Sequence, residues 1–314
     1  MSEKQITILI ADEMHPSLFP MLDEAKIGYH YAPNMTRQEL LAQIHAFDGL
    51  FIRSKTNVDQ AILDAAPALQ FIGRAGAGLD LIDLDATQKR GIPVFHAGEG
   101  NRDAVGEHMV GMLLNLLANI SKADREVRQG IWHREENRGY ELGNLTVGLI
   151  GYGNNGRATA RRLSGFGCPV LCYDKYLTHY GDAYAQEATL EQIMAQADVL
   201  SLHIPLTSET KLMINDFFVD RFAKPFYLVN VARGEIASLS AVVRGLQSGK
   251  IRGACLDVLE NEKLSKLTPE QQTAFDYLRT ANNVVLTPHI AGWTHESYVR
   301  INEVLVRQLL AILS

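Results

Sequence analysis

Three things are scarce in this 314-residue chain, and each scarcity removes a class of function. Cysteine is the first: Cys168, Cys172 and Cys255 are odd in number and lack metal-ligand spacing with the histidines. They suit neither a disulfide framework nor a metal centre, and read as small buried apolar residues of a reducing compartment. Long apolar runs are the second. The most apolar stretch, Met109 to Ile120, is interrupted by Asn115 and Asn119 and falls short of the ~20 residues that span a bilayer. Positive charge is the third: a net charge of −6 leaves no electrostatic footprint for nucleic acid or an acidic membrane. The opening residues, Met1-Ser2-Glu3-Lys4-Gln5, are polar and lead into a strand, so a cytoplasmic protein without a signal peptide is expected. No low-complexity segment or short repeat is visible. A composition of 46% hydrophobic and 21% charged residues is that of an ordinary soluble globular protein. The length favours two domains, because single cores stop growing near ~250–300 residues.

What is present is organised around Val147-Gly148-Leu149-Ile150-Gly151-Tyr152-Gly153-Asn154-Asn155-Gly156, an apolar strand running into a glycine turn. Gly151, Gly153 and Gly156 fill the G-x-G-x-x-G pattern: a tight turn, room for a pyrophosphate, and close helix–strand packing. Amides at the start of the following helix, from Asn155 to about Phe166, would face the diphosphate. A second strand, Pro169-Val170-Leu171-Cys172-Tyr173-Asp174, ends in an acid. Such an acid accepts hydrogen bonds from the adenosine ribose and repels a 2′-phosphate. Glycine turns are common, but strand, helix, strand and acid in this order point to a bound dinucleotide.

The rest of the chain frames this motif. Residues 5–100 alternate strand and helix: strands near 6–10, 49–53, 69–74 and 91–96, a capping box at Thr36 and Glu39 opening a helix to about Ala46, and a helix over Val58–Ala66. A second glycine-rich turn, Ala75 to Asp80, follows the third of these strands. Asn101-Arg102-Asp103 is suited to cap one long helix reaching about Gln129, roughly 40 Å for 27 residues. Apolar at first and charged later, it is either fully buried or half covered by another subunit, and a dimer contact through 101–129 is expected. From 146 to 286 six apolar strands recur, near 146–150, 169–174, 198–204, 226–231, 253–257 and 283–286, the content of a complete dinucleotide-binding domain. The apolar residues from Val299 to Leu313 predict a closing amphipathic helix that returns to the first domain. A cleft between two such domains is where a substrate would meet a nicotinamide.

Hydride transfer to a 2-keto acid needs a cation for the carboxylate and a proton donor for the carbonyl, and three strand ends offer candidates. Leu228-Val229-Asn230-Val231-Ala232-Arg233-Gly234 puts a guanidinium just beyond a strand, where it can hold a carboxylate by two parallel hydrogen bonds. Gly253 to Glu262 ends a strand in three acids, by default a solvated loop. Val284 to Gly292 ends the last strand in His289, and an imidazole beside a carboxylate is a proton donor near neutral pH. Taken singly, each has a bland reading: a surface arginine, an acidic loop, a structural histidine.

Together with G-Y-G-N-N-G and Asp174 they resemble the D-isomer-specific 2-hydroxyacid dehydrogenase family, with phosphoglycerate dehydrogenase and the glyoxylate/hydroxypyruvate reductases among its members. The resemblance covers essentially the whole chain, through the segments R-S, G-R-A-G-A-G-L-D, N-R-D-A-V-G-E-H, L-H-I-P-L-T, N-V-A-R-G, L-D-V-L-E-N-E and T-P-H-I-A-G. It implies NAD as cofactor, no metal, and catalytic roles for Arg233, which would bind the substrate carboxylate, His289, which would exchange the proton, and Glu262, which would hydrogen-bond His289. Arg53, Ser54 and Gly76 would meet the substrate alongside Arg233. Asp257 would hold the nicotinamide carboxamide, and His203, Pro205 and Thr210 would lie along the cofactor. Gly151, Gly153, Asn154, Asn155, Gly156 and Asp174, with Val231, Ala232, Arg233, His289 and Gly292, complete the expected cofactor contacts.

Two departures stand out. Lys263 follows Glu262 where the family usually has proline, which leaves the loop path open and Glu260 as an alternative partner. Lys175 follows Asp174 and could soften discrimination against NADP, although NAD is favoured. The regulatory C-terminal domain of longer phosphoglycerate dehydrogenases has no counterpart, so feedback through one is not expected. The resemblance thus implies two doubly wound α/β domains: a Rossmann dinucleotide-binding domain at 101–290, inserted into a flavodoxin-like substrate domain at 1–100 and 291–314. The activity implied is of the D-3-phosphoglycerate dehydrogenase type; Arg53, Arg74 and Arg102 could add positive charge for a phosphate or could equally make structural pairs. Glyoxylate/hydroxypyruvate reduction is the alternative within the family. An NAD(H)-sensing corepressor-like binding protein is the alternative outside enzymology, and the intact Arg-Glu-His set argues against it.

Overall fold

The computed structural model describes residues 6–313. Two compact units emerge: residues up to Asn101 together with those from Trp293 onward, and Arg102–Gly292.

The first unit is a five-stranded parallel sheet. Its strands are β1 (Thr7–Ile10), β2 (Gly28–Tyr31), β3 (Gly49–Ile52), β4 (Phe71–Arg74) and β5 (Val94–His96), in the order β2-β1-β3-β4-β5. That is the flavodoxin-like order. Strands buried on both faces read as continuous apolar runs, and β1 and β3 divide their residues accordingly. Leu9, Leu50 and Ile52 meet Leu40 and Ile62 on one face. Ile8, Ile10 and Phe51 meet Leu18 and Leu22 on the other, where the closing helix His295–Leu313 also packs through Val304, Leu305 and Leu309. The Thr36–Glu39 capping box is in place. The helix expected from Val58 begins instead at Gln60, because Asp59 caps it while Val58 pairs with Ile82. Strand β2 escaped the sequence reading. It is a sheet edge with a Gly-Tyr-His-Tyr sequence that is only partly buried, so it carries no apolar run.

The second unit is a seven-stranded parallel sheet of β6 (Val147–Ile150), β7 (Val170–Tyr173), β8 (Gln186–Glu187), β9 (Val199–Leu202), β10 (Phe226–Asn230), β11 (Ile251–Leu256) and β12 (Val284–Leu286). The order β12-β11-β10-β9-β6-β7-β8 reverses direction between β6 and β9, the topological switch point of a doubly wound domain. Six strands were expected and seven occur. The addition, β8, is a two-residue exposed polar edge that no hydropathy pattern announces.

The single helix expected over 101–129 is also corrected. It is two helices, Arg102–Leu117 and Ile120–Arg128, broken where Asn119 adopts the left-handed conformation with φ 55° and ψ 29°. Asparagine tolerates that conformation better than other side chains. The Asn115 side chain completes the corner by bonding both the amide and the hydroxyl of Ser121, each at 2.8 Å. Asn101 does not cap: its Oδ1 is buried and accepts no hydrogen bond. The first helix buries Met109, Leu113 and Leu116 with Val147, Leu149 and Leu163 of its own unit. The second has no fully buried residue.

Candidate active site

The carboxyl ends of parallel strands form one edge of the second sheet, and the sheet order decides which residues stand side by side there. Reading from one side, the strand ends carry Thr287 to His289 (β12), Asp257 (β11), Arg233 (β10), His203 (β9), the glycine turn (β6) and Asp174 (β7). At ~4.8 Å between neighbouring strands, the ends of β10 and β12, which lead to Arg233 and His289, lie roughly 10 Å apart.

The glycine turn fits a diphosphate. Gly151 has φ +94°, and a Cβ there would lie 2.4 Å from the His203 carbonyl oxygen; a Cβ on Gly156 would lie 2.2 Å from the Gly151 carbonyl oxygen. Both contacts forbid a side chain, so the turn can be this tight only with glycine. Over Gly153 there is open space. Gly153 starts the helix Asn154–Leu163 with no side-chain cap, leaving the first-turn amides to an external acceptor. Asn155 adds a buried amide oxygen with no partner in the protein.

At the end of β7, Asp174 is fixed by the glycine turn and by its own loop. Its Oδ2 accepts the Tyr152 amide at 2.9 Å, and its Oδ1 accepts the amides of Tyr176 and Leu177 at 3.0 and 3.2 Å. Lys175 is ion-paired with Glu209, so its charge is already answered. The loop after β9 is held by the Thr210 hydroxyl, which donates to the Pro205 carbonyl at 2.7 Å. His203 faces Ser201 at 3.0 Å, and burial pushes its imidazole down to about 4, leaving it neutral.

Arg233 follows the buried residues Val231 and Ala232. Asn230 shapes that turn, accepting the Ala232 amide at 3.1 Å and donating to the Arg233 carbonyl at 3.0 Å. The Arg233 guanidinium donates to the Ala232 carbonyl at 2.7 Å. Next to it, Gly234 runs so close to Leu259 that a Cβ would sit 1.8 Å from its carbonyl oxygen, which draws the β10 and β11 ends together.

Glu262 and His289 meet: Oε1 lies 2.9 Å from Nδ1, with both side chains 47% exposed. A polar contact this exposed adds at most about 1 kcal/mol to stability, but both groups remain open to a ligand. Glu260 turns away and accepts the Leu239 amide at 2.8 Å. Lys263 keeps an amide that proline would lack and donates it to Asn261 at 3.0 Å, while Asn261 bonds onward to Lys266 and Gln271. The loop is thus pinned by asparagine where the family uses a ring.

His289 itself sits at φ +57°, a conformation costing a non-glycine residue roughly 1–2 kcal/mol. Asp257, only 1% exposed, holds it there. The Asp257 main-chain oxygen accepts the His289 amide at 2.7 Å. Its carboxylate accepts the Thr287 hydroxyl at 2.6 Å and the amides of Ile290 and Ala291 at 2.8 and 2.9 Å. Burial alone would raise this carboxyl; hydrogen bonds from His108, Thr287, Ala291 and Ile290 outweigh it and hold the group below the usual carboxylate range. Gly292 ends this unit.

In the first unit, Arg53 and Ser54 leave the end of β3. The buried Asp12 collects the amides of Arg53, Ser54, Lys55 and Thr56 at 2.6 to 3.3 Å, and the Thr56 hydroxyl at 2.5 Å. These bonds overcome the effect of burial and keep its carboxyl ionised below the ordinary range. The Arg53 guanidinium lies over the Trp293 ring at 4.7 Å and the Tyr298 ring at 5.1 Å. Gly76, at φ +147°, is tied to Arg53 through Arg74, which accepts its amide at 2.9 Å and donates to the Arg53 carbonyl at 2.9 Å. Asp12, Asn230 and His108 were not singled out from the sequence; only a polar residue at a strand end could have flagged the first two.

The family model "D-isomer specific 2-hydroxyacid dehydrogenase, NAD binding domain" matches residues 110–291. A glyoxylate reductase of Thermofilum pendens is 38% identical over 285 residues, covering 88% of this chain and 82% of that protein. The D-3-phosphoglycerate dehydrogenase of Homo sapiens is 33% identical over 298 residues; these are 94% of this chain but 54% of the human protein, so the chain spans about half of that relative. The D-lactate dehydrogenase of Aquifex aeolicus, solved with NAD and lactic acid, superposes with a TM-score of 0.83 at 28% identity, covering 98% of this chain and 95% of that one. The chain accordingly belongs to the D-isomer-specific 2-hydroxyacid dehydrogenase family of NAD-dependent oxidoreductases.

Proposed function

We propose that this dehydrogenase interconverts a small D-2-hydroxy acid and its 2-keto acid, in the manner of D-3-phosphoglycerate dehydrogenase. The observation that carries the proton-transfer half of this reading is the Glu262–His289 pair at 2.9 Å, on the same sheet edge as Arg233. The nicotinamide cofactor would supply the hydride as NADH in reduction and accept it as NAD+ in oxidation. Gly151, Gly153, Asn154, Asn155 and Gly156 hold its diphosphate and Asp174 its ribose. His203, Pro205, Thr210, Val231, Ala232 and Gly292 line the rest. Asp257 Oδ2, which accepts one amide, has capacity for a carboxamide donor.

Arg233 binds the substrate carboxylate by two parallel hydrogen bonds and orients the carbonyl. In reduction His289 donates a proton to the carbonyl oxygen; in oxidation it takes the hydroxyl proton back. Glu262 holds the His289 ring through Nδ1, and the Arg233 guanidinium stabilises negative charge developing on oxygen. Arg102–Gly292 is the nucleotide domain. The other unit is the substrate domain, with Arg53, Ser54 and Gly76 as its contacts.

The glyoxylate reductase relative, with the higher identity, supports a second reading, reduction of glyoxylate or hydroxypyruvate. A panel of 2-keto acids with NADH, followed by absorbance, separates them. Fastest turnover of 3-phosphohydroxypyruvate supports the first reading, and faster turnover of glyoxylate supports the second. Tight NADH binding with no turnover of any acid would mark a nucleotide-sensing protein and overturn both.

A homodimer is proposed as well. The helix Ile120–Arg128 has no fully buried residue in its own chain, and Ile120, Val127, Trp132 and Tyr140 are exposed, Trp132 to 80%. A second copy is the occupant suggested for this face, and light scattering showing a strict monomer would refute it. Three buried free cysteines support a cytoplasmic location, and among the described residues no helix is long and apolar enough to cross a membrane.

A further inference from the structure

The loop that carries His289 has every amide answered from the strand beside it. Thr287 donates to the Leu256 carbonyl at 3.1 Å and His289 to the Asp257 carbonyl at 2.7 Å; Ile290 and Ala291 donate to the Asp257 carboxylate, and Pro288 has no amide to place. A non-glycine residue at φ +57° persists only where its surroundings over-determine it. Here one buried side chain does most of that, and a second layer holds the side chain.

Thr287 Oγ1 lies 2.6 Å from Asp257 Oδ1. An ionised carboxylate only accepts, so the threonine hydroxyl donates to it and turns its lone pairs the other way. Facing those lone pairs is His108, from the helix Arg102–Leu117 and 179 residues distant in sequence. Its Nε2 is 3.1 Å from Thr287 Oγ1 and 3.5 Å from Asp257 Oδ1. Both neighbours accept, so Nε2 carries the hydrogen. The donors therefore run in one direction: His108 to Thr287, Thr287 to Asp257, and Asp257 as common acceptor for the loop.

We propose that His108 and Thr287, acting through Asp257, are positioning residues that keep His289 in its left-handed conformation and aligned with Glu262 for proton transfer. This rests on His289 being the proton donor, as read above. It differs from a packing role because the network has polarity: a side-chain N–H at position 108 serves it and a methyl group does not.

The full-length enzyme with NADH tests this through His108→Ala, His108→Gln and Thr287→Val, with His289→Ala as control. The readouts are kcat and KM against pH, NADH affinity by fluorescence, and Tm. His108→Ala and Thr287→Val are expected to lose roughly ten- to a hundredfold in kcat, the scale of a small misplacement of a reacting group. The pH profile of kcat should be displaced, while KM and NADH affinity stay near wild type. His108→Gln, which retains an N–H donor, should recover most of the loss. Wild-type kcat and pH profile in the alanine and valine variants would overturn the proposal. So would equal losses in His108→Ala and His108→Gln with the pH profile in place, which would make His108 a packing residue. Should His108→Ala fail to fold, Thr287→Val, close to threonine in volume, carries the same test. Full turnover in His289→Ala would instead remove the proton-donor assignment, and the positioning role with it.

Discussion

Asp12 in one unit and Asp257 in the other are 1% exposed carboxylates just beyond parallel strands, and each gathers the backbone of a neighbouring loop. Asp12 takes four successive amides, Arg53 to Thr56, and one hydroxyl, while Asp257 takes two amides and one hydroxyl. The loop under Asp12 has ordinary backbone geometry and presents a guanidinium stacked on Trp293 and Tyr298. The loop under Asp257 contains Pro288 and a left-handed His289, and it recruits His108 as a further support. The difference teaches that a buried acid alone is sufficient to shape a relaxed loop that holds a charge. A strained loop that must aim an imidazole needs a second tier of donors.

This contrast can be broken at several points. If the Asp257 loop serves chemistry, His289→Ala should lower kcat by roughly 10² to 10⁴, the range of general acid–base catalysis, with NADH affinity retained; unchanged turnover ends the contrast. If the Asp12 loop serves binding, Arg53→Ala should raise the KM for 2-keto acids by about tenfold and spare most of kcat, whereas Arg233→Ala should raise KM by ten- to a hundredfold, weakening keto-acid binding much more than NADH binding. A collapse of kcat in Arg53→Ala at saturating substrate would contradict that division of labour.

Stability sharpens the contrast next. Both carboxyls are held below their ordinary value of 3.8 in the folded protein. Their stabilisation is therefore present above the unfolded pKa and lost as pH falls from about 4 through the lower folded values. Asp12→Asn and Asp257→Asn should each flatten the loss of stability in that acid range and cost about 1–3 kcal/mol at neutral pH, seen as a lower midpoint in urea. An acid profile identical to wild type would sink the argument for either residue. Smallest is a change at the other end of the second sheet: Asp174→Ala should shift the NADPH-to-NADH ratio of kcat/KM by several-fold to tenfold. An unchanged ratio would contradict its role against the 2′-phosphate.

How legible each part was follows from where its contacts lie. The glycine turn, Asp174, the Thr36 capping box and the apolar strands depend on neighbours in sequence and could be read directly. Strands β2 and β8 could not, because edge strands gain their pairing from the sheet and not from hydropathy. The break at Asn119 was hidden because apolar periodicity continues on both sides of it, while the corner depends on Asn115 reaching Ser121. The choice of Glu262 over Glu260, its weaker alternative, rested on paper on the resemblance alone. It is decided by Glu260 reaching the Leu239 amide, a bond 21 residues away in the chain.

By itself the amino-acid order determined the class of fold, the dinucleotide turn and the identity of the chemical groups, since turns, strand patterning and side-chain pKa ranges are local properties. Only the tertiary structure decided which groups share an edge, which glutamate faces His289, and what keeps that histidine in its left-handed backbone. Those outcomes depend on sheet order and on hydrogen bonds closed between residues such as His108 and Thr287, 179 positions apart, where no local pattern records the partner.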